Sequence, residues 1–240
     1  MKPCIVTTSW DDGSIFDLKL VEVLEKYGIK GTFYIPKSYL GNPLGKKDLR
    51  TINEKFEIGA HTLNHADLTK ISLLEARREI EGSKAYLEEL LGHTPFIFAY
   101  PKGRYNESIK RAIRDAGFVV ARTINYGDFN LPRDPYQWQI TLHASNGSPL
   151  MTFKTWLKSG ISARSLIDWE IRAKLLFDLA LQKGGIYHLW GHSWEIEKNN
   201  EWAKLGRVLR YMSNKKDVYF MTNGEIFGLP KSWLRESGKS

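Results

Sequence analysis

Cys4-Ile5-Val6-Thr7-Thr8-Ser9-Trp10, running into Asp11-Asp12-Gly13, sets how the rest of the chain is read. The first seven positions are mostly apolar or β-branched, as in a buried strand, and Asp-Asp-Gly is a turn signal. Asp17 to Tyr27 follows, with Leu18, Val21, Leu24 and Glu25 at helical spacing and Gly28 as a stop. Gly31 to Pro36 reads as a second strand. Strand, helix and strand in close succession form a βαβ unit, which requires the two strands to be parallel.

The alternation continues to the far end. Strands are expected at Phe56–Ala60, Phe96–Tyr100, Phe118–Thr123, Ile186–Trp190 and Val218–Thr222. Between them lie four helices. One is opened by the capping box Ser72-Leu73-Leu74-Glu75 and closed by Gly92, and one is capped by Asn106. The others span Asp168–Gln182 and Glu201–Met212. The expected fold is α/β, a distorted (β/α) barrel of about seven parallel strands. It is read as a single domain over residues 1–240. The irregular stretch 128–167, with Leu131-Pro132-Arg133-Asp134-Pro135 and Asn146-Gly147-Ser148-Pro149, is read as a rim insertion holding one strand near Gln137 to Leu142. The last ten residues read as a frayed tail.

Composition excludes several classes. The 240 residues are 42% hydrophobic and 26% charged, an ordinary globular balance. The single cysteine, Cys4, cannot form a disulfide within the chain and reads as a small core residue, which fits a reducing compartment. Met1-Lys2-Pro3 enters the strand without an apolar leader, and no window approaches the roughly 20 apolar residues of a membrane span. A cytoplasmic location is therefore expected. The net charge of +8 is scattered in small groups such as Lys46-Lys47 and Arg77-Arg78. No basic helix interleaves with aromatics, so no nucleic-acid partner is expected.

Parallel barrels carry their active sites at the C-terminal ends of the strands. Here those ends collect Asp11-Asp12, His61 with His65, Tyr100-Pro101-Lys102-Gly103, Arg122, and His192 with Trp194. An adjacent acid pair can divide two jobs, one carboxylate holding a metal and the other acting as base. Histidines four apart lie on one face of a helical turn and can grip the same ion. Two His and one Asp leave a coordination position open for water. His93 reads as a surface residue, His143 as structural, and His188, inside an apolar strand, as a hydrogen-bonded core histidine.

Ser9-Trp10-Asp11-Asp12-Gly13, His61-Thr62-Leu63-Asn64-His65 and Phe98-Ala99-Tyr100-Pro101-Lys102-Gly103 resemble the first three motifs of the polysaccharide deacetylases, metal-dependent esterases that include chitin, peptidoglycan and chitooligosaccharide deacetylases. The resemblance runs from about residue 4 to residue 225. It implies that Asp12, His61 and His65 bind a divalent metal, usually zinc, and that Asp11 takes a proton from the attacking water. It gives the backbone N–H of Lys102 an oxyanion role, with Tyr100 beside it, and makes His192 the acid that protonates the leaving amine. Asp168 would orient His192, and Trp169 and Trp190 would wall the acetyl pocket. Ala99 stands where the family has an arginine that steers the base, so Arg122, and after it Arg104, is the candidate replacement. His188 remains an alternative to His192. The implied substrate is an N-acetylated amino sugar in an oligosaccharide, polysaccharide or sugar–lipid intermediate. The alternatives are another linear or cyclic amide, as in a deformylase or allantoin-type hydrolase, and a non-catalytic sugar-binding homologue.

Overall fold

In the computed structural model, residues 3–39, 41–146, 152–153, 156–157 and 160–229 are described. β1, Cys4–Asp11, is buried at all but one residue, the signature of a strand covered on both faces. Its alternation divides the molecule. Cys4, Val6 and Trp10 point outward into the apolar layer beneath the helices, while Ile5 packs with the smaller cluster inside the sheet. Thr7, Ser9 and Asp11 share that inner face. Burial pushes the Cys4 thiol up to about 11, so it behaves as a small core residue.

The remaining strands are β2 Gly31–Ile35, β3 Glu57–Ala60, β4 Ile97–Ala99, β5 Val120–Tyr126, β6 Trp138–Ile140, β7 Leu142–His143, β8 Gly185–Gly191 and β9 Val218–Phe220. They run in the order β6-β5-β4-β3-β2-β1-β8-β7, every pairing is parallel, and β9 pairs with the first half of β1. β6 and β7 are separated by Thr141 alone. Trp138 pairs with Arg122 of β5, whereas Leu142 and His143 pair with Leu189 and Trp190 of β8. Thr141 joins the two halves, its N–H donating to the His188 carbonyl (2.9 Å) and its Oγ1 accepting from the His188 N–H (3.0 Å). One extended run therefore changes partner midway and closes the sheet into a ring. This is the expected distorted barrel, and its closing run lies where a strand was expected near Gln137 to Leu142.

The helices with both ends among the described residues are α1 Asp17–Lys26, α2 Lys46–Asn53, α3 Leu73–Leu91, α4 Glu107–Asp115, α5 Trp169–Lys183, α6 Ser193–Lys198, α7 Trp202–Ser213 and α8 Asn223–Ile226. Local chemistry sets their ends. Ser72 Oγ accepts from the Glu75 N–H, and the Glu75 carboxylate accepts from the Ser72 N–H; α3 then ends at Gly92 with φ 77°. Asn106 caps α4 through the Ile109 N–H. Among the described residues, no helix is long and apolar enough to cross a membrane. Part of the turn at 146–149 and the whole 231–240 tail lie outside the described residues.

Inside the ring, a polar network closes the end opposite the candidate site. Thr7 Oγ1 donates to Asn223 Oδ1, the Asn223 N–H donates to Thr32 Oγ1, and Asn223 Nδ2 donates to the Tyr34 hydroxyl. Thr32 Oγ1 and the Gly224 N–H both donate to Glu57 Oε2 (2.7 and 2.9 Å). A Cβ at position 224 would lie 2.0 Å from Glu57 Oε1, so α8 can seat here only through a glycine. Burial pushes the Glu57 carboxyl up to about 7 despite these donors.

Candidate active site

The end of β1 delivers two carboxylates to different partners. Asp11 points into the barrel. Asp12, beyond the strand, has φ 82°, a costly value for a residue with a side chain, and its N–H donates to the Tyr34 carbonyl (3.1 Å). β3 delivers His61 directly. The chain then turns through Thr62 (φ 66°) to His65 (φ 53°). The expected helical turn at 61–65 is thus corrected to a left-handed one, and it still sets the two imidazoles 4.8 Å apart.

His61 Nδ1–H donates to the Ala99 carbonyl at 2.8 Å. A carbonyl only accepts, so the proton sits on Nδ1 and the Nε2 lone pair is presented to the cavity. That Nε2 lies 3.8 Å from Asp12 Oδ1, and His65 Nε2 lies 3.5 Å from the same oxygen. Asp12 Oδ1 is buried without a hydrogen-bond partner, although the other oxygen, Oδ2, accepts from Trp194 Nε1 (2.9 Å). The Tyr39 ring stacks on His65 at 3.9 Å. Burial lowers both histidines to about 4, so they are neutral near pH 7, the form that ligates metal. A carboxylate oxygen with no partner, facing two imidazole lone pairs within 4.8 Å, is a donor set that fits a divalent cation.

Asp11 is held differently. Both its oxygens lie 2.5 Å from Arg122 Nη2, and Oδ2 also accepts from Trp190 Nε1 at 2.9 Å. Arg122 is 0% exposed, with its guanidinium 4.9 Å from the Tyr34 ring and 5.3 Å from the Trp190 ring. Burial alone would raise the Asp11 carboxyl; the Arg122 charge, aided by His61 and His192, outweighs it and holds the group at about 2. Ala99 and Arg122 are direct partners across β4 and β5. The guanidinium thus enters one strand over, at the same height in the barrel. Arg104, 52% exposed, is instead paired with Asp67 at 2.6 Å.

His192 caps α6, with Nδ1–H donating to Glu195 Oε2 (2.9 Å) and Nε2 lying 3.7 Å from Asp12 Oδ2. Burial would lower its pKa, but Glu195, Asp11 and Asp12 raise it overall. Asp168, expected beside His192, is elsewhere: it caps α5 through the Glu170 N–H (2.8 Å) and lies 3.4 Å from Lys204 Nζ. The carboxylate on His192 is Glu195. His192-Ser193-Trp194-Glu195 has the cap-to-third-residue reach of a capping box, the sequence signal that would have found it. Glu195 Oε2 also lies 3.0 Å from His143 Nε2. Burial pushes the Glu195 carboxyl up, but the two imidazoles outweigh this and hold it well below the usual range.

His188 lies deeper in the barrel. Its Nδ1–H donates to the Gln139 carbonyl (3.2 Å), its Nε2 accepts from Ser9 Oγ (2.8 Å), and burial holds it neutral at about 3. Lys102 sits in the short turn Pro101–Gly103 with φ 57° and an exposed side chain. Tyr100 is not brought to the acid pair. It follows the inward-facing Ala99, so it turns outward, donating to the Tyr136 carbonyl (3.2 Å) and stacking on Tyr105 (4.9 Å). Trp169 is likewise a core residue, fully buried at the start of α5. The sequence places Trp194 on the rim beside His192 without an assigned role, and Glu195 is not among its candidate residues. Asp17, at the start of α1, was also missed; burial pushes its carboxyl up to about 8, so it adds no charge behind the acid pair.

Comparison with known proteins places this geometry among relatives. The family model for polysaccharide deacetylase matches residues 1–121. A chitin deacetylase of Arthroderma benhamiae is 25% identical over 162 residues, covering 65% of this chain and 41% of that protein. The first curated relatives are matched over 32%, 41% and 43% of their own length. Among solved structures, Puue allantoinase superposes with a TM-score of 0.68 at 14% identity, over 93% of this chain and 88% of that one. A family 4 acetyl xylan esterase from Clostridium thermocellum, in complex with a cobalt ion, gives 0.62 at 18%, over 95% and 94%. At these identities the structural likeness is one of fold.

Proposed function

The chain belongs to the polysaccharide deacetylase family, and from that premise we propose that it is a metal-dependent hydrolase removing an N-acetyl group from an amino sugar. The observation that carries the reading is the buried Arg122–Asp11 pair set against the Asp12, His61 and His65 donor set. An acid left free of the ion, kept ionised and fixed in orientation by a guanidinium, is positioned to accept a proton from water.

In this reading Asp12 Oδ1, His61 Nε2 and His65 Nε2 hold a divalent ion, and zinc suits the His₂Asp set. Such an ion, when bound, acts as a Lewis acid that lowers the pKa of water and polarises a carbonyl. Asp11 Oδ2, 3.9 Å from His61 Nε2, takes the proton of the attacking water. Arg122 and Trp190 keep that carboxylate in one orientation, so no reorganisation accompanies the transfer. In this reading the backbone N–H of Lys102, in the turn at φ 57°, serves the developing oxyanion. His192, held through Nδ1 by Glu195, presents Nε2 to protonate the departing amine, the logic of a carboxylate orienting an imidazole. Trp190 walls the cleft. Arg122 on Asp11 also weakens the case for a non-catalytic homologue, which rested on the missing arginine at position 99.

The test is acetate release from a panel of N-acetylated amino sugars and oligosaccharides, with and without chelator. Chelator-sensitive acetate release is expected. Free amine from a cyclic amide alone would replace this reading with the allantoin-type one. Activity that survives complete metal removal would overturn the site assignment.

A further inference from the structure

We propose that His143, Glu195 and His192 form a second divalent-cation site beside the first, and that filling it silences His192. The donors come from two elements. β7 brings His143 opposite Trp190, and the entry to α6 brings His192 and Glu195. One ligand atom from each of His143, His192 and Glu195 lies within 4.8 Å of the other two, and Glu195 Oε2 is 3.0 Å from His143 Nε2 and 2.9 Å from His192 Nδ1. Two imidazoles and one carboxylate make a ligand set of the kind that binds zinc. His143 Nε2 is buried and, although 3.0 Å from Glu195 Oε2, makes no aligned hydrogen bond to it. His143 Nδ1 is tied to Ser145 Oγ at 2.5 Å, which fixes the ring in place. The Glu195 side chain is 26% exposed and provides the entry path.

The His192 ring stands between the two sites. Its Nε2 faces Asp12 and its Nδ1 faces Glu195. A cation in the second site expels the Nδ1 proton to solvent, takes the electron pair left behind and displaces the hydrogen bond to Glu195 that orients the ring, which can then no longer become the imidazolium that gives up an Nε2 proton. The same ion that supports the reaction at the first site therefore inhibits it at the second. The first site has two carboxylates, Asp11 and Asp12, and the second has Glu195 alone, so the first fills first; repulsion between two divalent charges then makes the second the weaker.

The experiment is a Zn²⁺ titration of chelator-stripped protein, read by calorimetry and by elemental analysis after dialysis. Two equivalents are expected, the second bound at least tenfold more weakly than the first. Asp12→Ala should lose the strong equivalent and keep the weak one. His143→Gln should keep the strong one and weaken the other at least tenfold, and it should shift the onset of inhibition by excess zinc by the same factor. Glu195→Gln makes the same cut if circular dichroism finds His143→Gln unfolded. A single equivalent in the unmodified protein, or two undiminished equivalents in His143→Gln, overturns the proposal. The metal count does not depend on the deacetylase reading: a protein that binds two ions and releases no acetate keeps this site and loses that reading.

Discussion

Replacing Arg122 by Met tests how Asp11 is made ready. Of the donors on Asp11, Arg122 Nη2 touches both oxygens and Trp190 Nε1 touches one, so the substitution leaves a single neutral donor. Both partners of the ion pair are buried, at 0% and 3% side-chain exposure, so solvent screening does not reduce the effect. Removing one member of a buried pair costs about 3–5 kcal/mol, because the other charge is stranded. The loss should appear in urea unfolding. In turnover, loss of an oriented base is bounded by the ~10²–10⁴-fold worth of general-base catalysis, and kcat should fall by roughly 10² with KM nearly unchanged. The decisive arm moves the guanidinium back one strand. Ala99 and Arg122 are paired across β4 and β5, about 4.8 Å apart, and face the same side of the sheet. Ala99→Arg combined with Arg122→Ala should therefore recover at least about tenfold in kcat over Arg122→Ala alone. A metal-loaded Arg122→Met enzyme with near-normal kcat would refute the steering role.

Other consequences can be measured directly. Asp12→Ala should release the bound metal, whereas Asp11→Asn should keep it and lose roughly 10²–10⁴ in kcat; elemental analysis of both separates ligand from base. Asp168→Ala should cost about 1 kcal/mol as a lost helix cap and leave kcat intact, while Glu195→Gln should lower kcat; the reverse result would restore Asp168 as the orienting acid. Glu57 makes stability depend on pH. Its folded value of about 7 lies above the unfolded ~4.3, so its stabilising contribution is complete below about pH 4 and is lost as pH rises through 7. Glu57→Gln cannot ionise, so its stability relative to the native chain should rise by roughly 2–3 kcal/mol between pH 5 and pH 8. Equal urea midpoint differences at the two pH values would contradict this.

The convergence of Asp12, His61 and His65 was legible because ligand chemistry and strand ends are both written in residue types. Arg122 was legible as the basic residue ending the strand next to Ala99, and its contact with Asp11, with the Asp67 partner of Arg104, separates the two candidates. The left-handed turn at Thr62 and His65 was not legible, since positive φ is uncommon outside glycine and is least expected for a β-branched residue such as Thr62. Tyr100 and Trp169 were misplaced for lack of facing. A strand that turns Ala99 inward must turn Tyr100 outward, a parity argument available once the strand limits are known. Asp168 was taken from its place in a motif and Glu195 was not considered, although a partner three residues from His192 across a helix start is the shorter reach.

The closing run from Trp138 to His143 gives the barrel a seam. Each half is held by two register pairs, far fewer than the seven that join β1 to β8. Trp138 on one side of the seam neighbours Arg122, and His143 on the other neighbours Trp190. Because one extended run carries both halves, a displacement of Trp138–His143 would reach the strand of Arg122, which steers Asp11, and the strand of Trp190, beside His192, together.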